Sequence, residues 1–271
     1  MRCHTVSLSC RAYPRPTARN SRFPLMINTL LPMTGIQRES SLSIAKNHLI
    51  ELLPRTARMR LLAICEPVEL VMAEVLSDVG IPTRYVYFPT QSFISLVTPI
   101  KGKPILEVGM IGREGMLGTH LALGVSAAPL HALVQGPGAA WRIGAVAFRR
   151  ELARSPALQS GMHRYVYVMM MQLASAASCL RFHQIEPRLA RWLLMTQDRA
   201  QSSTFHITHE FLAYMLGVRR VGVTAAASVL QRDGLIKYRR GEIEVLNRRG
   251  LEAAACSCYA ADREAYATML H

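Results

Sequence analysis

The chain has 271 residues, long enough for two domains, and half of its composition is apolar, which excludes a wholly disordered protein. Against 18 acidic residues stand 32 Lys and Arg, and the resulting +14 suits a polyanionic partner. The excess is uneven: residues 1–24 carry five arginines and no acid, residues 187–250 carry eleven Lys/Arg against five Asp/Glu, and residues 251–271 are net acidic.

In chain order, residues 1–40 come first. They have the Arg- and Ser-rich, acid-free look of an organelle transit peptide but lack the apolar core of a secretory signal. The reading is a disordered N-terminal extension, with Met26 or Met33 as alternative initiators. A short helical stretch follows over 46–64. From 69 to 148 the pattern changes to short apolar runs at 85–88, 93–97, 105–108, 130–134 and 140–143. Turn signals separate them at Gly80-Ile-Pro82, Pro99-Ile-Lys-Gly102, Gly112-Arg-Glu-Gly115 and Gly136-Pro-Gly138. Short strands at this spacing predict a β-roll or sandwich over 45–152, closed by a helix from about 145.

A long helix is predicted over 155–185. Leu158, Met162, Tyr165, Met169, Leu173, Ala176 and Leu180 recur at steps of three and four, one sticky face suited to pairing with a second copy, with a core helix as the plain alternative. The uncharged run at 165–180 is too short and too polar to span a membrane.

Residues 208–246 read as two short helices around a tight turn, then a β-hairpin. Thr208 is an N-cap, Phe211, Leu212, Met215 and Leu216 face inward, and Gly217 suits the left-handed end of the first helix. Val218, Val223, Ala226, Ala227 and Leu230 line the inner face of the second helix, leaving Arg219, Arg220, Thr224 and Ser228 outward. Two strands, 235–238 and 243–246, flank Arg239 and Arg240. Helix, turn, helix and wing place one helix in a DNA major groove, with arginines where phosphates and base edges are met. Residues 187–250 are therefore read as a winged helix-turn-helix whose partner is double-stranded DNA, and residues 251–271 as a tail.

The six cysteines, Cys3, Cys10, Cys65, Cys179, Cys256 and Cys258, show no disulfide framework and no zinc spacing. They are read as free thiols in a reducing cytoplasm, with no metal site and no cofactor. The histidines at 120, 131, 163 and 183 are read as surface or satisfied core residues.

The order β-roll, long helix, winged helix, together with the stretch GVRRVGVTAAASVLQRDGLIKYRRGEIEVL at 217–246, resembles the Crp–Fnr family of bacterial transcription regulators over roughly residues 45–250. That resemblance implies an α+β chain: an N-terminal jelly-roll sensor, a dimerisation helix, and a C-terminal reader of a palindromic operator. RNA polymerase is a further partner if the protein activates. By position, Arg220 matches the family's guanine-reading arginine, worth about 1–3 kcal/mol of discrimination. The neighbouring family positions hold Val221 and Ala225 here, so the common half-site is not implied. Arg219, Thr224, Arg239 and Arg240 stand as phosphate or base contacts.

A buried cyclic-nucleotide phosphate needs a cation. The family's Gly-Glu pair is Gly118-Thr119 here, and no Lys or Arg occurs from Glu114 through Trp141, so control by cyclic AMP is not expected and the effector is unknown. An enzyme is disfavoured too: the roll has no His-x-His with a carboxylate, and the chain has no Gly-x-Ser-x-Gly and no phosphate loop. The readings left beside a cytoplasmic, homodimeric regulator are a protein-interaction module with a degenerate winged helix, and a sensor that does require a cyclic nucleotide.

Overall fold

A computed structural model describes residues 46–98 and 105–270. The predicted extension at 1–40 and the turn at 99–102 lie outside the described residues. The chain enters through α1 (His48–Glu51) and α2 (Arg55–Leu62). Asn47 caps α1 by accepting from the Ile50 amide, and its buried side-chain amide donates to the carbonyls of Pro89 at 2.9 Å and Gly115 at 2.8 Å. One side chain thus ties the first helix to the end of a strand and to a loop of the sheet domain.

Seven strands follow: β1 (Glu66–Leu70), β2 (Val75–Ser77), β3 (Tyr85–Pro89), β4 (Phe93–Thr98), β5 (Leu106–Ile111), β6 (His131–Gly136) and β7 (Gly138–Gly144). They pair antiparallel in two sheets, β1-β7-β3 and β2-β6-β4-β5. Val86, Phe88, Ile94, Ile111, Ala132, Val134 and Ile143 fill the core of this roll. Each apolar run picked out in the sequence corresponds to one of β3 to β7. β1 and β2 were not among them because both are edge strands, largely exposed, and have no apolar run to show.

α3 (Ala145–Arg154) leads into α4 (Pro156–Phe182), 27 residues and about 40 Å long. Ser155 caps α4 by accepting from the Leu158 amide, and Pro156 occupies the first turn, where no amide hydrogen is needed. The face predicted to meet a second copy is turned inward. Leu158, Met162, Tyr165 and Met169 belong to the core of the roll, Ala176 is buried, Leu180 is half-buried, and only Leu173 reaches the surface. The reason is a close approach. Tyr165 lies over Gly115 so tightly that a Cβ there would collide with its hydroxyl, so α4 is docked on its own β-roll along this stripe. The exposed apolar side chains of α4 are instead Tyr167, Met170, Met171 and Leu173, 36–63% exposed, with Phe182 at its C-terminal end.

The chain breaks at His183-Gln184 and continues as α5 (Ile185–Ala200), β8 (Thr204–His206), α6 (His209–Leu216), α7 (Arg220–Arg232), β9 (Ile236–Arg239) and β10 (Glu242–Val245). Leu189, Leu193, Leu212, Leu216, Val223, Leu230, Ile236 and Ile243 make the second core. The wing has three strands, ordered β8-β10-β9, one more than the sequence predicted. The predicted tail is also more structured than expected: α8 (Arg248–Ala254) and α9 (Cys258–Met269) follow. Tyr259 joins the second core, whereas Leu270 is buried in the first, so α9 returns from the C-terminal half to the β-roll along α4. Arg191 of α5 holds it there through Asp262 at 2.6 Å. No helix among the described residues is long and apolar enough to cross a membrane.

Candidate nucleic-acid interface

The geometry of the helix pair is set by its ends. Thr208 accepts from the Phe211 amide at 3.1 Å, satisfying an orphan donor of the first turn of α6. α6 stops at Gly217, whose φ of +63° lets the chain reverse. Arg188 of α5 donates to the carbonyl of Leu216, closing the C-terminus of α6 from below. The chain then enters α7 at Arg219, which makes no side-chain cap. Val223, Ala226, Ala227 and Leu230 are buried, as predicted.

That packing leaves Arg219, Arg220, Thr224 and Ser228 exposed on α7, beside Val221 at 72% exposure and Ala225. The two arginines sit at the helix start, where unpaired backbone N–H groups and the positive end of the dipole reinforce their charge toward an anion. The hydroxyl of Thr224 donates to the Arg220 carbonyl at 3.1 Å, and that of Ser228 to the Thr224 carbonyl at 2.9 Å. Both hydroxyls therefore meet a ligand as acceptors rather than donors.

The wing lies beside this helix. In the β9–β10 hairpin Lys237 is opposite Glu244 and Arg239 opposite Glu242, so part of its positive charge is balanced across the ladder. Arg240 and Gly241 form the two-residue tip, both at positive φ (51° and 84°), a turn whose twist matches the strands. Arg240 is exposed at the apex.

His209 joins the parts, and sequence reasoning missed it. Its ring stacks on Tyr238 of β9 with centroids 4.1 Å apart and planes 15° from parallel, while Nδ1 lies 2.9 Å from the Thr224 hydroxyl of α7. One side chain thereby fixes the recognition helix against the wing. Burial, and then the nearby Arg220 charge, hold its pKa below the usual value, so the ring is neutral at pH 7. No spacing rule in the sequence marks a histidine in this role.

The structure brings the seven predicted DNA-facing residues into two neighbouring groups: Thr208, Arg219, Arg220, Thr224 and Ser228 around the helix pair, Arg239 and Arg240 on the wing. In the β-roll, the loop at 113–121 is held by protein contacts. Met116 and Leu121 are in the core, Glu114 pairs with Arg199 of α5 at 2.8 Å, and Arg113 points to the surface.

A second group was also invisible in the sequence. Cys179 and His183, one helical turn apart, converge in space with Cys256 and Cys258. The thiols of Cys65, Cys179, Cys256 and Cys258 are free, and three of them form one cluster. The pair Cys179-x-x-x-His183 was the signal, but its partner motif is 77 residues away.

Residues 187–254 match the family model of the Crp-like helix-turn-helix domain. No curated protein matches the sequence. Among solved structures, FixK2 from Bradyrhizobium japonicum superimposes with a TM-score of 0.61 at 13% identity, covering 71% of this chain and 98% of that one. A transcriptional regulator of the CRP family from Thermus thermophilus gives 0.59 at 18% identity, covering 69% and 96%. The c-di-GMP-responsive global regulator CLP of Xanthomonas campestris gives 0.58 at 16%, covering 71% and 99%. Residues 187–254 are thus a Crp-like helix-turn-helix domain, carried on a chain with the fold of the Crp–Fnr regulators.

Proposed function

We propose that this chain is a transcription regulator of Crp–Fnr type that works in the cytoplasm as a homodimer, reads a palindromic operator, and does so without cyclic AMP. The observation that carries the reading is the exposed arginine face of α7 held against the arginine-tipped wing by His209. Helix and wing stand side by side, linked through His209. Phosphate contacts from Arg219, Arg239 and Arg240 position the domain, and Arg220 reads a base edge.

Dimerisation is assigned to the outward stripe of α4, Tyr167, Met170, Met171 and Leu173, extended by the small exposed residues Ala174 and Ala177. Two long helices pairing there would set the reading helices about one DNA turn apart. Independence of cyclic AMP is supported by Thr119 in place of the ribose-binding glutamate and by the lack of a basic residue from 114 to 141.

Selection of bound sequences from random DNA by the purified full-length protein, with and without cyclic AMP, tests all three parts. A two-fold palindrome enriched without nucleotide is the expected result. Enrichment only with the nucleotide would overturn the effector reading. A single unrepeated half-site would overturn the dimer, and no enrichment in either sample would favour an interaction module.

A further inference from the structure

Outside the DNA-reading surface, one cluster of side chains has no part in anything described so far. Cys179 and His183 sit on the last turn of α4 and at its C-terminal boundary, and Cys256 and Cys258 flank the start of α9. All three cysteines are buried and pack together, and His183 is half-buried beside them. The four ligand atoms lie within 4.8 Å of one another. The Cys179 and Cys256 sulfurs are 3.5 Å apart, and the Cys258 sulfur is 3.6 Å from Nδ1 of His183.

Those separations decide between chemistries. A disulfide needs sulfurs at about 2.05 Å and would use only two of the four groups. Zinc bonds of about 2.3 Å to sulfur and about 2.0–2.1 Å to nitrogen, opened to tetrahedral angles, place neighbouring ligand atoms about 3.5–3.8 Å apart. Two of the six pairs have that spacing, and the rest lie within 4.8 Å, a small adjustment away. Three soft thiolates and an imidazole form a closed donor set of the structural zinc type, and a single ion is the right size for four atoms gathered this closely. Bound zinc with three thiolates would leave one negative charge, and Arg188 and Arg191 of α5 line the same cavity as Cys179.

We propose that Cys179, His183, Cys256 and Cys258 bind one zinc ion. The ion would link the end of α4 to the α8–α9 connection, closing a loop that contains the whole reader domain. It fastens α9 beside the break at His183-Gln184, where sensor and reader join. This is a structural site: four protein ligands leave no open position for substrate. It stands apart from the proposed DNA reading, because the donor set holds metal whether or not an operator is present.

The test uses full-length protein without a histidine tag, purified with reductant. Elemental analysis is expected to find zinc equimolar with the chain. Replacement by cobalt should give the thiolate-to-metal charge-transfer and strong visible bands of a tetrahedral, sulfur-rich site. Cys258→Ser and His183→Ala should each lower the bound zinc and shrink the fall in melting temperature caused by a chelator, while Cys65→Ser changes neither. Zinc-free wild-type protein that also gives no tetrahedral cobalt bands would overturn the proposal. So would full metal retention by Cys258→Ser, or a Cys179–Cys256 disulfide in the reduced preparation. The cobalt titration is read on wild-type protein, so a variant that fails to fold does not shield the proposal.

Discussion

Arg220 and Arg240 are both exposed arginines, yet they should fail differently. Arg220 opens the recognition helix among residues with little polar reach of their own, Val221 and Ala225. Arg220→Ala is therefore expected to relax preference at one base pair of each half-site by about 1–3 kcal/mol, measured as affinity for single-base operator variants. Uniform weakening across all variants would show it to be a phosphate contact. Arg240 sits at φ +51°, where a side chain costs roughly 1–2 kcal/mol that glycine avoids. Arg240→Gly should leave the fold equally or more stable by thermal melting, while lowering affinity for every DNA sequence and reducing the salt slope by about 1. A variant that binds as well as the parent would show that the strained tip has no DNA to reach.

At the scale of elements, α4 is the instructive case. Its apolar residues populate two faces, Leu158, Met162, Tyr165 and Met169 on one and Tyr167, Met170 and Met171 on the other. Periodicity picks out the first stripe but cannot say whether it meets the β-roll or a second copy. That choice depends on the small Gly115 loop, which comes from another part of the chain. Met170→Glu combined with Tyr167→Glu should convert a dimer to monomer in sedimentation, with helical content retained, because like charges would meet at the two-fold axis. Leu158→Glu should instead unfold the sensor; a folded monomer from that change would return the dimer seam to the inner stripe. The helix-turn-helix was legible because its caps, turn and apolar spacings are all local: Thr208, Gly217, Val223 and Leu230 lie within a few turns of one another. Strands β3 to β7 were legible as apolar runs. What escaped was made by partners distant in sequence: the edge strands β1 and β2, the third wing strand β8, the bridge through His209, and the cluster of Cys179 with Cys256.

Across the whole molecule, sensor and reader meet through a small set of polar contacts embedded in apolar packing. Trp192 of α5 donates to Glu107 of β5 at 2.8 Å, and the Ser95 hydroxyl donates to the same carboxylate at 2.6 Å. Val97 and Met110 of the sensor sheet contribute to the reader's core beside them. Glu107 is half-exposed as a residue, but its carboxyl is enclosed at this joint, and burial outweighs both hydrogen bonds and the arginine charges to push its pKa up to about 7. Below pH 4.5 the group is protonated whether folded or not and has no effect on stability. As pH rises, the unfolded chain ionises first, so Glu107 costs stability progressively until the folded group has also ionised, above about 7. Glu107→Gln should remove that part of the pH dependence, followed as the urea midpoint between about pH 5 and pH 8. A wild-type and variant with parallel profiles would place the charge elsewhere.

The return of α9 to the sensor, ending with Leu270 in the first core, makes the joint unlike a bead on a string. The second half is attached twice by the chain, through the α4–α5 break and through α9, and a third time by packing, where Val97 and Met110 enter its core. A swing of one half on the other must therefore open apolar packing, and removing the last helix would take away one of the three anchorages.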